Sequence, residues 1–172
     1  MPASTPILGF PYPTGTDRVM DGDNAIGALA QAVEDELLSA AYKVLGYVRV
    51  EADQSGIGGT AVALAGLTVA VDVAANRRIR VSHDARLLGT ANAMTGRIRI
   101  RQDGADIHLA AAYLHSATQT QSISASIIIT PPAGLHTYSL TGQMSAGTGT
   151  ISLNASPGGP AHLLVEDLGP LA

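Results

Sequence analysis

The sequence predicts a mainly β protein, an antiparallel β-sandwich or barrel, taken as a jelly-roll-like β-sandwich, preceded by an extended N-terminal segment and one α-helix. Three observations lead there. Apolar residues recur at helical spacing in a single long stretch near the N-terminus. Beyond it the period shortens to two, in short runs rich in Val, Ile and Thr. The breaks between those runs carry the Gly, Pro, Asn and Asp that turns require. The chain therefore divides into an extended anchor over 1–20, an oligomerisation helix over 21–42 and a β-sandwich domain over 43–172. A chain of 172 residues is long enough for one sizeable core with an appendage.

Pro2, Pro6, Pro11 and Pro13 exclude a helix from the lead and favour an extended or polyproline-like path without regular pairing. Ile7, Leu8, Phe10 and Tyr12 would be wasted on a linker, so the lead is expected to order against another protein. Phe10 is the only Phe in the chain and the candidate plug.

In the helical stretch Ile26, Ala30, Val33, Leu37, Ala40 and Val44 recur at alternating steps of four and three, which keeps one apolar seam facing partner helices. Asp21 is placed to cap the first turn, Asp23 adds charge at the positive end of the dipole, and Gly46 closes any extension. A seam of about two to three heptads is marginal alone, so a larger neighbouring domain is expected to hold the helices together. Leu29, Leu38 and Tyr42 widen the stripe, which leaves open an ordinary amphipathic helix lying on its own sheet.

Strands are expected at 44–50, 67–73, 78–83, 96–102, 105–113, 122–130, 136–144, 150–155 and 162–167, with a weaker run at 61–65. Asp103-Gly104 suits a two-residue hairpin loop of the primed type. That loop would set Gln102 opposite Ala105, Arg101 opposite Asp106, Ile100 opposite Ile107, Arg99 opposite His108 and Ile98 opposite Leu109. The outer face would then carry Arg97, Arg99 and Arg101, partly offset by Asp106. In the run SISASIIIT, Ile123, Ala125, Ile127 and Ile129 fit an inward face, leaving Ile128 outward among serines. With Ala110 and Ala112 read as outward on the preceding strand, this makes a small weakly polar patch where copies of the chain would meet.

A formal net charge of −4 and few aromatic residues argue against a nucleic-acid partner. Without Cys there is no disulfide framework or thiolate metal site. No stretch reads as a signal peptide or membrane span, so synthesis in the cytoplasm without membrane insertion is expected. His83, His108, His115, His136 and His162 are scattered and lack two-ligand spacing, and no nucleophile, phosphate-loop or dinucleotide motif is present. Glu34, Asp35 and Glu36 point around a helix, and Glu166 with Asp167 makes no glycosidase pair. No catalytic residue, metal or cofactor is expected.

The segment PYPTGTDRVMDGDNAIGALAQAVEDEL resembles the N-terminus of small structural proteins of tailed bacteriophages infecting high-GC actinobacteria, often labelled minor tail or fibre proteins. The Ala/Gly/Thr-rich β region, PPAGLHTYSL and the DLGP ending are similar in style. The resemblance implies a homotrimeric virion component, assembled in the host cytoplasm and docked to other virion proteins through its N-terminus. Ile26, Ala30, Val33, Leu37, Ala40 and Ile128 would then form the oligomer interface, and Ile7, Leu8, Phe10 and Tyr12 the virion anchor. A jelly roll of this size resembles the trimeric tumour-necrosis-factor-like heads at fibre tips. Placement on the tail and placement on the head as a capsid decoration or fibre both remain open. So does a receptor-binding module whose loops at 54–60, 115–121 and 147–149 recognise a host-surface glycan.

Overall fold

The computed structural model describes residues 3–4, 11–12, 19–40 and 42–170. The chain separates into two compact units, Met1–Ala41 and Tyr42–Ala172.

In the first unit β1 (Ala3–Ser4) and β2 (Pro11–Tyr12) form an antiparallel pair, with Ala3 opposite Tyr12 and Ser4 opposite Pro11. The expectation that the prolines prevent pairing fails here. Proline lacks a donor but keeps its carbonyl acceptor, which a two-residue ladder with open edges tolerates. Ile7, Leu8 and Phe10 lie outside the described residues.

Helix α1 runs over Val19–Ala40, starting earlier than its charge pattern suggested. Asp21 therefore falls inside the first turn and not at the cap. Val44 falls beyond the helix, so the seam ends at Ala40. Ile26 and Leu37 are 61% and 67% exposed, Val33 is 37% exposed, and Ala30 is exposed as well. Gln31 donates to Asp35 one turn on, at 2.9 Å.

The second unit is built of β3 (Lys43–Val50), β4 (Gln54–Ile57), β5 (Val62–Val73), β6 (Arg77–Gly89), β7 (Met94–Gln102), β8 (Ala105–Leu114), β9 (Thr120–Ile129), β10 (Gly134–Ala146), β11 (Ile151–Leu153) and β12 (Ala161–Pro170). One sheet has the order β5-β10-β7-β8. The other has β3-β12-β6-β11-β4, with β9 along the opposite edge of β6. Every pairing is antiparallel. The first long strand lies beside the last, the next beside the next-to-last long strand, and the chain wraps inward from both ends. This is the expected antiparallel jelly-roll sandwich. Alternation supplies its core from both sheets: Leu67, Val71, Ile98, Ile100 and Leu140 face Ile79, Val81, Leu87, Leu163 and Val165, all essentially inaccessible to solvent.

Three local readings change. The segment 54–60, read as a loop, contains β4, because Ile57 enters the core while Gln54 bonds the backbone of Ala63 and Ala65. The runs at 61–65 and 67–73 are one strand that breaks register against β10. Gly66, at φ +78°, supplies the left-handed residue this irregularity needs.

The third change concerns the β7–β8 hairpin. Asp103 and Gly104 adopt φ of 51° and 85°, the primed turn expected, and Gln102 faces Ala105 and Arg101 faces Asp106. Then Ile107 forms a bulge that still packs on the core, and Ile100 faces His108, Arg99 faces Leu109 and Ile98 faces Ala110. One extra residue reverses the faces beyond it. Ala110 and Ala112 pack against the core instead of lying outward, and Leu109 becomes 44% exposed.

The far side of the same turn is clamped. Asp103 accepts from the Thr137 amide at 2.8 Å and pairs with His136 Nδ1 at 2.7 Å, while His136 Nε2 meets the Pro132 carbonyl at 2.9 Å. With an acceptor at each nitrogen the ring favours its protonated form, and the Asp103 hydrogen bond holds its pKa above the ordinary value. A raised folded pKa stabilises the fold below the unfolded value near 6.5, and that contribution is lost as pH rises through the folded one. His136→Phe is therefore expected to cost about 1 kcal/mol at pH 6, after allowing for the half-exposed Asp103, and much less at pH 9. Urea unfolding at both values checks it; an equal loss at each pH would assign the effect to packing.

Candidate functional site

The outer face of the β3-β12-β6-β9 sheet carries exposed apolar side chains. Pairing registers set three rows across it: Val44–Glu166–Arg80–Ile128, Tyr47–Leu164–Ser82–Ser126 and Arg49–His162–Asp84–Ser124. Val44, Tyr47 and Ile128 are 58%, 50% and 59% exposed. Between them Arg80 reaches Glu166 at 2.6 Å and donates to the Tyr42 hydroxyl at 3.3 Å. Glu166 is almost fully buried although it lies on an outer face, and burial raises its pKa. Tyr47 leans on His162 with ring centres 5.8 Å apart. Ser122, Ser124 and Ser126, which alternate with the inward residues of β9, leave room for close approach. An apolar rim around a satisfied ion pair suits burial against protein better than permanent contact with water.

The other sheet presents a different surface. Arg97, Arg99 and Arg101 project from β7 beside Gln143, Thr141 and Ser139 of β10. Asp106 bridges Arg99 at 3.2 Å and Arg101 at 3.0 Å. The basic stripe expected from the sequence is present, although the β8 residues flanking Arg97 and Arg99 are Ala111 and Leu109.

Between the edge strands β8 and β9 runs a groove of about 490 Å³ lined by Tyr113, His115, Gln121, Ser122 and Ser124 together with alanine methyls. Tyr113 and His115 meet edge to face, with centres 4.7 Å apart.

Of the residues selected from sequence, Ile128 lies on the outer face of β9, as its alternation requires, and Ile26, Ala30, Val33 and Leu37 are exposed along α1. Ala40 closes the helix and Tyr12 lies in β2. Sequence reasoning missed Tyr47, Leu164 and the Arg80–Glu166 pair, and placed Val44 in the helical seam. Alternation in 43–50 marked the outward residues, but only the long-range pairing of β3 with β12 and of β12 with β6 brings them together.

Among the described residues no three His, Asp or Glu side chains gather closely enough to hold a metal ion. No described helix is long and apolar enough to cross a membrane.

No protein-family model and no curated protein sequence matches the chain. Among solved structures it is similar to Eiger TNF from S. frugiperda, at 9% identity over 76% of this chain and 96% of the other, with a TM-score of 0.47. Murine APRIL is similar at 14% identity over 76% of this chain and 100% of its own, with a TM-score of 0.43. A chain of the T13 IBDV viral particle is similar at 13% identity over 78% of this chain but 37% of its own length, with a TM-score of 0.44.

Proposed function

We propose that the chain is a non-enzymatic structural protein of a tailed-bacteriophage virion. It forms a homotrimer, docks to the tail through its N-terminal segment and projects the β unit outward. The observation that carries this reading is a pair of separate exposed apolar sets. One is the Ile26, Val33 and Leu37 row on α1, and the other is the Val44, Tyr47 and Ile128 face of the β unit. Both are apolar surface left open in a single chain, which association with further copies would cover. The oligomer interface then comprises Ile26, Ala30, Val33, Leu37 and Ala40 on the helix and Ile128 on the sheet, joined by Val44 and Tyr47. Ile7, Leu8, Phe10 and Tyr12 form the anchor to another virion protein, and no cofactor or nucleic acid takes part.

Removal of residues 1–16 is expected to leave the trimer's thermal unfolding nearly unchanged and to abolish incorporation into particles. Phe10→Ala should weaken docking by about 2 kcal/mol per copy, the loss of a buried aromatic anchor, and three copies make detachment look all-or-none. The measurement is occupancy on purified particles after complementation; wild-type occupancy by the truncated chain would overturn the anchor. The same gels give copy number, where tens or fewer place the protein on the tail and hundreds make it a capsid decoration.

A further inference from the structure

The basic stripe encloses a pocket of about 430 Å³ on the outer face of the β5-β10-β7-β8 sheet, where Arg99, Arg101, Asp106, Thr141 and Gln143 converge. We propose that this pocket binds an acidic saccharide, a sugar ring bearing a carboxylate beside free hydroxyls. The inference stands independently of the virion reading.

Charge is the first argument. Arg97, Arg99 and Arg101 face a single carboxylate, Asp106, on a chain whose formal charge is −4. The β10 residues in register with them are Gln143, Thr141 and Ser139, all neutral. On β5 the outward acid, Asp72, pairs with Leu135 at the far end of the strand. A local positive field on an acidic protein attracts an anion.

Hydrogen-bonding capacity narrows the anion. Each guanidinium carries five N–H donors. Arg99 is held by Asp106 and Gln143, and Arg101 by Asp106 and the Gly104 carbonyl, so both are fixed in place with donors to spare. Gln143 is itself tethered by its bond to the Gly59 carbonyl at 2.6 Å. The Thr141 hydroxyl is buried without a protein partner, an unusual state for a polar group in a folded core. A bare carboxylate would use the arginines but would meet repulsion from Asp106. A hydroxylated acid ring uses both, placing its carboxylate on guanidinium and its hydroxyls on Asp106, Gln143 and Thr141. The methyls of Ala61 and Ala63 line the same pocket, and Leu109 stands opposite Arg99, so a sugar's C–H face also finds apolar contact. An acidic peptide fits less well. The pocket lies within the sheet, where β10 and β7 have paired backbones, and it offers no deep apolar seat for a side-chain anchor.

The test is calorimetric titration of the full chain with trigalacturonic acid at low ionic strength, beside maltotriose, sodium sulfate and a pentaglutamate peptide. One saturable site per chain is expected for the acidic trisaccharide alone. Arg99→Gln should weaken it at least tenfold. Thr141→Val, which removes a hydroxyl that has no protein partner, should weaken it with the melting temperature unchanged, so lost binding can be told from lost folding. Absence of saturable binding, equal binding of maltotriose, sulfate or the peptide, or full binding by folded Arg99→Gln and Thr141→Val would each overturn the proposal.

Discussion

Val33→Asp is expected to take the proposed trimer apart. Val33 sits midway along the exposed row of α1, between Ile26 and Leu37. On a three-fold axis the substitution brings three carboxylates together in an apolar seam with no cation to pair them. A buried charge without a partner costs roughly 3–5 kcal/mol, and three copies repel one another. A seam of about two to three heptads contributes too little to absorb that. Ile128→Asp is the matched variant on the β unit. It removes one apolar contact per copy and sets a carboxylate two residues from Ser126 in the β9 row. If helix and sheet both contribute, each variant shifts the trimer to higher protein concentration and the pair together gives monomer. Sedimentation velocity across the micromolar range reads this directly. Wild-type protein that sediments as a monomer there would overturn the trimer. A trimer indifferent to Val33→Asp but lost with Ile128→Asp would move the interface entirely to the sheet.

The jelly roll was legible because its signals are local. Alternation locates each long strand, and Asp103-Gly104 announces its turn through the positive φ that both residues accept. Ile128 was legible for the same reason, since an apolar residue between Ser126 and Thr130 breaks a two-residue period. What failed depended on geometry between strands. The bulge at Ile107 cannot be inferred, because Ile107 and Leu109 alternate as well in either register, yet it reverses Ala110 and Ala112. β4 was hidden because Gln54 to Ile57 carries one apolar side chain and a glycine, and its strand character comes from Ile57 filling the core. The Val44–Glu166–Arg80–Ile128 row unites residues as far as 122 positions apart in sequence, as the numbering gives by 166 − 44. No spacing rule reaches that far.

Lowering the pH from 7 to 4 is expected to destabilise the β unit through His83. This ring lies inside the sandwich, 2% exposed, between Leu163 of β12 and Ala125 of β9, and both its nitrogens are buried without a hydrogen-bond partner. Burial first, and the positive fields of His108 and His162 second, lower its pKa to about 4. The unfolded chain, with an ordinary histidine near 6.5, therefore binds a proton that the folded chain refuses. Stability is unaffected above pH 6.5, falls as pH drops from there toward 4, and levels off for this group once both states are protonated. The full swing is on the order of 3 kcal/mol. His136 responds in the opposite direction, since its raised pKa favours the folded state at low pH, so the whole-protein profile mixes the two. His83→Leu separates them. It fills the site with an apolar side chain and removes two unsatisfied nitrogens, so it should raise stability at pH 8 by about 1–3 kcal/mol and at pH 4.5 by most of that swing in addition. Urea unfolding of both proteins at one fixed chain concentration removes the contribution of assembly from the comparison. Parallel pH profiles for wild type and His83→Leu would show that the ring is not the acid-sensitive group.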